Sequence, residues 1–151
     1  MLFVSLKYLA VLSAAIFAGA AVYITVVEQP ARMGLETRLA ALQWAPSYAR
    51  ATWLQAPLAV ISFLCGCSLG IAGAGIGWLL AGVLVGLVVP FTLVVVMPTN
   101  RKLLAPGRAL GSADTRELLV RWGQLHTVRT VLSLLGLGVY LGLLIVPALP
   151  A

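Results

Sequence analysis

The sequence predicts an all-α fold: an integral membrane bundle of four transmembrane helices with two longer cytoplasmic connections. Composition is the first reason. Of the 151 residues, 62% are hydrophobic and 9% charged, against about 45–50% apolar and about 25% charged in soluble globular domains. The distribution of charge is the second. No charged residue falls between Tyr8 and Val27 (20 residues), between Ala51 and Asn100 (50), or between Thr130 and Ala151 (22). A hydrocarbon core about 30 Å thick takes about 20 helical residues, so the first and last runs cross once and the middle run twice. The third is the lack of period-two alternation, which makes these runs helices and not barrel strands. The length fits one domain, residues 1–151.

The four spans are expected at about 5–27, 54–72, 78–98 and 127–147. The first lacks a basic region ahead of its apolar stretch and exceeds the usual h-region of about 7–15 residues, so it reads as a retained helix and not a cleaved leader. Between the second and third, glycines at 66, 70, 73, 75 and 77 supply the turn. Asp114 followed by Glu117 reads as a helix start, so the fourth helix begins near residue 115, well before its uncharged run.

Charge sets the orientation. Arg32, Arg38 and Arg50 lie between spans one and two; Arg101, Lys102, Arg108, Arg116, Arg121 and Arg129 lie between spans three and four; Lys7 alone lies at the other end. The positive-inside rule places both basic connections in the cytoplasm and both termini outside, in the cell (inner) membrane. The net charge of +6 is then explained by anionic headgroups of membrane lipids, and nucleic acid is excluded as a partner.

Several motifs read as structural. Gly66/Gly70, Gly73/Gly77, Gly82/Gly86 and Gly138/Gly142 have the spacing that lets membrane helices approach, expected mainly within the bundle. Cys65 and Cys67 sit one residue apart in an apolar span, which is not the spacing of a redox pair. The Gly73–Gly77 stretch has no βαβ setting and is no dinucleotide fingerprint.

The polar residues that remain share one end of the bundle. Glu28 and Arg32 are one turn apart if span one continues through Pro30. Pro46 suits the first turn of a helix, after which Tyr48, Thr52 and Gln55 form a stripe at i, i+4, i+7. Asn100 closes span three, and Trp122, His126 and Arg129 share a face of the fourth helix. Ionisable groups near hydrocarbon usually face the bundle interior or a partner, so these side chains are expected to converge on one polar mouth. Taken singly, each also fits an interfacial role, Arg32 and Arg129 by snorkelling.

Glu28-Gln29-Pro30-Ala31-Arg32, Trp44-Ala45-Pro46-Ser47-Tyr48, Pro98-Thr99-Asn100-Arg101-Lys102-Leu103 and Trp122-Gly123-Gln124-Leu125-His126-Thr127-Val128-Arg129 resemble the small four-helix membrane family named after the fungal anthrone oxygenases. The resemblance covers nearly the whole chain, and the Trp-x3-His-x2-Arg pattern is its most specific part. It implies the same four-helix fold. It also implies oxidation of an activated ring methylene to a ketone with dioxygen and no cofactor, on a lipophilic aromatic small molecule. That chemistry needs a base with a pKa near neutral, and His126 is the sole histidine. Arg129, Asn100 or Tyr48 would donate to the oxyanion, and Glu28 would orient the imidazole or replace it as base. Trp122, Tyr48, Gln55 and Arg32 would contact the substrate, Trp122 by stacking. A different reading is a non-enzymatic membrane protein that binds a lipid or small amphiphile or scaffolds a partner. A metal or haem centre is disfavoured by the single histidine without a second strong ligand on its face. Four spans without an internal repeat do not suggest a transporter, although a homo-oligomer could enclose a pore.

Overall fold

The computed structural model describes residues 1–145 and is all-helical among them. Among the described residues four helices are long and apolar enough to cross a membrane: α1 (Leu2–Met33), α2 (Thr37–Ala74), α3 (Ile76–Leu103) and α4 (Ala113–Ile145). Each exceeds the span expected from the uncharged run. The final two residues of the expected fourth span, 146 and 147, lie outside the described residues.

The helices form an up-and-down ring in which α1 packs on α2, α2 on α3, α3 on α4 and α4 back on α1. Lys7 of α1 lies 5.3 Å from the Trp78 ring at the start of α3, marking one end of the bundle. At the other end Arg116 donates from its Nη1 to Leu35 O at 2.9 Å and from its Nη2 to Met33 O. Met33 O ends α1 and Leu35 O lies in the turn after it, and the guanidinium of α4 supplies both with a donor.

The outer faces are as apolar as the core. Leu12, Val26, Leu54, Leu93, Val131 and Leu141 all point outward, as expected of helices whose solvent is hydrocarbon. The core has two parts. Ala10, Ala14, Phe17 and Ala21 pack with Ala59, Leu69, Ala81, Val85 and Tyr140 toward the Lys7 end. Toward the basic end, Ile24, Ala41, Val96 and Leu119 pack around Trp44 and Trp122.

Small residues set the spacing of the first part. A Cβ on Gly66 would stand 2.1 Å from the Tyr140 hydroxyl oxygen and 2.8 Å from Gly82 Cα, so α2 and α3 cross backbone to backbone here. Gly138 and Gly142 have nothing within 4 Å of such a Cβ and face outward, against the expectation of packing within the bundle. The chain reverses at Gly73 (φ 86°) and Gly75 (φ 110°), left-handed values that suit glycine.

Two expectations change. The first basic connection is helical almost throughout, with only residues 34–36 between α1 and α2. Pro46 therefore lies nine residues inside α2 and not in a first turn, a position membrane helices tolerate. The cap of α4 is Ser112, whose Oγ accepts from Thr115 N at 3.2 Å. Asp114 follows in the first turn, where its charge complements the helix dipole.

Candidate active site

A π turn at Ile24–Glu28 interrupts α1. It inserts a residue, so buried positions step by five across it, from Ile24 to Gln29, and then to Arg32. The turn aims Thr25 at α4 and brings Glu28 and Arg32 against α2.

Arg32 anchors the basic end of the site. Its Nη2 donates to Glu28 Oε1 at 2.5 Å, its Nη1 to Gln29 Oε1 at 2.6 Å, and its Nε to Gln43 Oε1. Glu28 Oε1 also accepts from Ser47 Oγ, and from Gln43 Nε2 at 3.1 Å. Gln29 Nε2 donates to Leu119 O at 2.9 Å, passing close to Gly123, where a Cβ would stand 2.8 Å from that nitrogen. The Glu28–Arg32 pair expected from the sequence is present, with side-chain exposures of 17% and 1%. A buried guanidinium so fully engaged holds α1, α2 and α4 together and has little left to offer a ligand.

Above it runs an aromatic row. Trp44 stacks on Tyr48 with centroids 5.1 Å apart, meets Trp122 edge-on at 5.8 Å, and Trp122 in turn lies 5.1 Å from the His126 ring. Arg32 sits over the Trp122 ring, 5.5 Å from its centroid.

Beyond the row lies a small chamber lined by Glu28, Tyr48, Gln55, Trp122, His126 and Arg129, with Ile24, Ser47, Ala51 and Thr52 completing its wall. Its free volume is about 10 Å³, close to the minimum for one water molecule. Of the eight side chains expected to take part in catalysis or substrate contact, Glu28, Tyr48, Gln55, Trp122, His126 and Arg129 meet on it. Arg32 adjoins it through Glu28 and Trp122. Asn100 is fully buried in α3 but does not line the chamber, and among the described residues both of its side-chain polar atoms lack a hydrogen-bond partner.

His126 is 2% exposed. Its Nδ1 lies 3.1 Å from Thr25 Oγ1, and Thr25 Oγ1 lies 2.8 Å from Thr130 Oγ1. Thr25 thus holds the imidazole where Glu28 was expected. Among the described residues His126 Nε2 has no partner. Arg129 donates from Nη2 to Gln55 Oε1 at 3.0 Å and stands 5.9 Å from the Phe17 centroid. Its Nε is unpartnered, and among the described residues no carboxylate pairs with it. With Gln55 Nε2 and Trp122 Nε1, four side chains on the chamber wall each have a buried polar atom without a partner. Native interiors hold few such atoms, and a cluster of them marks a place prepared for a polar ligand or water.

Two larger depressions meet this chamber. A groove of about 580 Å³ between α1 and α2 shares Ile24, Glu28, Ser47, Ala51 and Gln55 with it and opens past Leu54 and Arg50. A slot of about 130 Å³ between α2 and α3 shares Tyr48, Thr52, Gln55 and Arg129. Among the described residues no cluster of three His, Cys, Asp or Glu side chains could hold a metal ion.

Sequence reasoning overlooked Thr25, Thr130, Gln29, Gln43 and Ser47. Thr130 was accessible, one helical turn beyond His126 on the same face. Thr25 and Gln29 were not, because their placement depends on the π turn.

A sequence profile described as anthrone oxygenase matches residues 44–139. That stretch includes Tyr48, Gln55, Asn100, Trp122, His126 and Arg129 and leaves out Thr25, Glu28 and Arg32. Anthrone oxygenase tpcL of Aspergillus fumigatus is 42% identical over 67 residues, covering 42% of this chain and 42% of that protein. The match therefore spans less than half of the relative's length. No solved structure matches.

Proposed function

The chain belongs to the anthrone oxygenase family, and from that membership we propose that it oxidises the activated ring methylene of a lipophilic aromatic to a ketone, using dioxygen without a cofactor and His126 as the base. The observation that supports this reading most directly is the set of unpartnered polar atoms on side chains that line the chamber: His126 Nε2, Arg129 Nε, Gln55 Nε2 and Trp122 Nε1. One is a base. The others are donors, and one of them is a cation without a carboxylate. An anion formed beside the imidazole is the ligand such a set suits.

In the balanced reaction a ring methylene and a dioxygen molecule give a ring ketone and a water molecule. Nε2 of His126 removes one methylene proton, and the resulting carbanion is held as an oxyanion beside Arg129 and Gln55. Electron transfer to dioxygen and carbon–oxygen bond formation give a peroxide anion, which the imidazolium protonates. The neutral imidazole then takes the remaining proton on that carbon as the O–O bond breaks, and hydroxide leaves with the proton that imidazole returns, as water. Removal of water from the site strengthens each of these interactions.

The chamber is too small for a fused ring system. In this proposal the rings lie in the α1–α2 groove, within the usual volume range of about 300–1,000 Å³ for small-molecule sites. The reacting edge passes Ile24 and Ala51 to reach His126, with side-chain movement on binding. A greasy substrate arrives laterally from the bilayer. The basic end of the bundle faces the cytoplasm, as the distribution of Lys and Arg favours.

The test is oxygen uptake and ketone formation from an anthrone by purified protein in micelles. His126→Ala is expected to lower turnover by about 100-fold or more. Turnover unchanged in that variant would rule out His126 as the base. A second reading, passive binding of a lipid or amphiphile in the groove, is favoured by the small chamber. It predicts saturable binding of the anthrone with no oxygen uptake by the unaltered protein.

A further inference from the structure

Three side chains from two helices form a hydrogen-bond chain that ends on backbone carbonyls. Thr130 Oγ1 lies 3.2 Å from both Ala21 O and His126 O. Carbonyl oxygens only accept, so in one of the two possible orders the Thr130 hydroxyl hydrogen is directed there. Its oxygen is then the acceptor for Thr25, 2.8 Å away. Having given its single hydrogen to Thr130, Thr25 can only accept from His126 Nδ1 at 3.1 Å. In this order the ring proton sits on Nδ1, and Nε2 keeps its lone pair.

The reverse order can be weighed against this. Thr130 would donate to Thr25 and Thr25 to Nδ1, which would leave the proton on Nε2, where nothing accepts it. Orphaned buried N–H groups are rarer in folded proteins than under-used acceptors. The reverse order would also place a donor hydrogen in a chamber that already holds the Arg129 guanidinium. Arg32 adds a second positive charge behind Trp122, although that charge is paired with Glu28.

From this geometry we infer that Thr25 and Thr130 are positioning residues: they hold His126 in the Nδ1–H form and so keep the unpartnered Nε2 as the proton acceptor. When Nε2 takes a proton, the same oriented hydroxyl presents its oxygen to the Nδ1–H of the imidazolium and stabilises the new charge. The catalytic consequence rests on the proposed function. The tautomer itself is a property of the protein without substrate.

His126 is the only histidine, so protein labelled with 15N in the imidazole gives one ring to observe. In the neutral ring of the unaltered protein, the one-bond 15N–1H coupling is expected on Nδ1 and absent from Nε2. Thr130→Val frees the Thr25 hydrogen to turn toward Nδ1, and the coupling is expected to move to Nε2. Thr25→Val removes the acceptor and is expected to give a mixture of both forms, while Thr25→Ser restores the Nδ1–H form. With an anthrone as substrate, kcat falls about tenfold in Thr25→Val and recovers in Thr25→Ser, with KM unchanged. A proton on Nε2 in the unaltered protein overturns the inference, as does an unchanged tautomer in both valine variants. An Nδ1–H ring together with full turnover in His126→Ala leaves the relay standing and overturns only the assignment of the base.

Discussion

The crossing of α2 and α3 makes a quantitative demand on Gly66. A methyl group there would approach Gly82 Cα and Trp78 O to 2.8 Å, and both are backbone atoms that move only if the helices separate. It would also stand 2.1 Å from the Tyr140 hydroxyl, which donates to Ser62 O at 2.9 Å. Overpacking of a close interface costs about 1–3 kcal/mol. A buried tyrosine hydroxyl displaced from its acceptor adds about 1–3 kcal/mol. The better helix propensity of alanine returns about 1 kcal/mol. Gly66→Ala should therefore destabilise the bundle by about 3 kcal/mol. Gly138, with nothing within 4 Å, is the matched control, and Gly138→Ala should be neutral or stabilising by up to about 1 kcal/mol. Equilibrium unfolding of both variants in the same micelles, titrated with a denaturing detergent, measures the difference. Equal stability of Gly66→Ala and the unaltered chain would refute the backbone crossing. A loss in Gly138→Ala comparable to that in Gly66→Ala would show that the outward face of α4 is covered by something, a second copy of the chain being the simplest candidate.

Other outcomes follow from the site. Arg129→Met removes a buried cation that has one hydrogen bond and no carboxylate, so turnover should fall by about 100-fold or more while the denaturation midpoint holds or rises. Glu28→Gln leaves the Arg32 guanidinium without its carboxylate and should lower stability by about 2 kcal/mol, less than a fully buried pair would lose because glutamine still accepts a hydrogen bond. Ala51→Trp fills the passage between the α1–α2 groove and the chamber and should raise KM for an anthrone at least about tenfold, an effect visible in initial rates. Unchanged KM would place the entry elsewhere, with the α2–α3 slot beside Thr92 and Leu93 the next route to block.

The fold was legible because the bilayer sets a simple criterion: long uncharged runs have to be helices, and their glycine-rich break has to be the turn. The α4 side of the site was legible for a similar reason, since Trp122, His126 and Arg129 follow one helical period and the helix there is regular. Two things were not. Residues 37–53 carry charges and two tryptophans and looked like a connection, yet they are helical, and α2 continues through them so that Gln43 and Ser47 meet Arg32 and Glu28. The partner of the imidazole was hidden in an apolar run. A straight α1 would give the buried face a step of three or four after Ile24, and so would not bury Gln29. The π turn makes that step five, burying Gln29 and leaving Glu28 only partly covered. No periodicity in Val22–Gln29 announces the extra residue.

That inserted residue works as a phase shifter. The upper half of α1 keeps Ala10, Ala14, Phe17 and Ala21 in register with its neighbours. The lower half is rotated by about 100°, the angle of one residue in an α-helix, so that Gln29 and Arg32 reach theirs. Shortening 24–28 by one residue would force a choice between the two registers, because a continuous α-helix cannot satisfy both. Chimeras that exchange halves of this helix between relatives therefore have to preserve the residue count of this segment as well as its side chains.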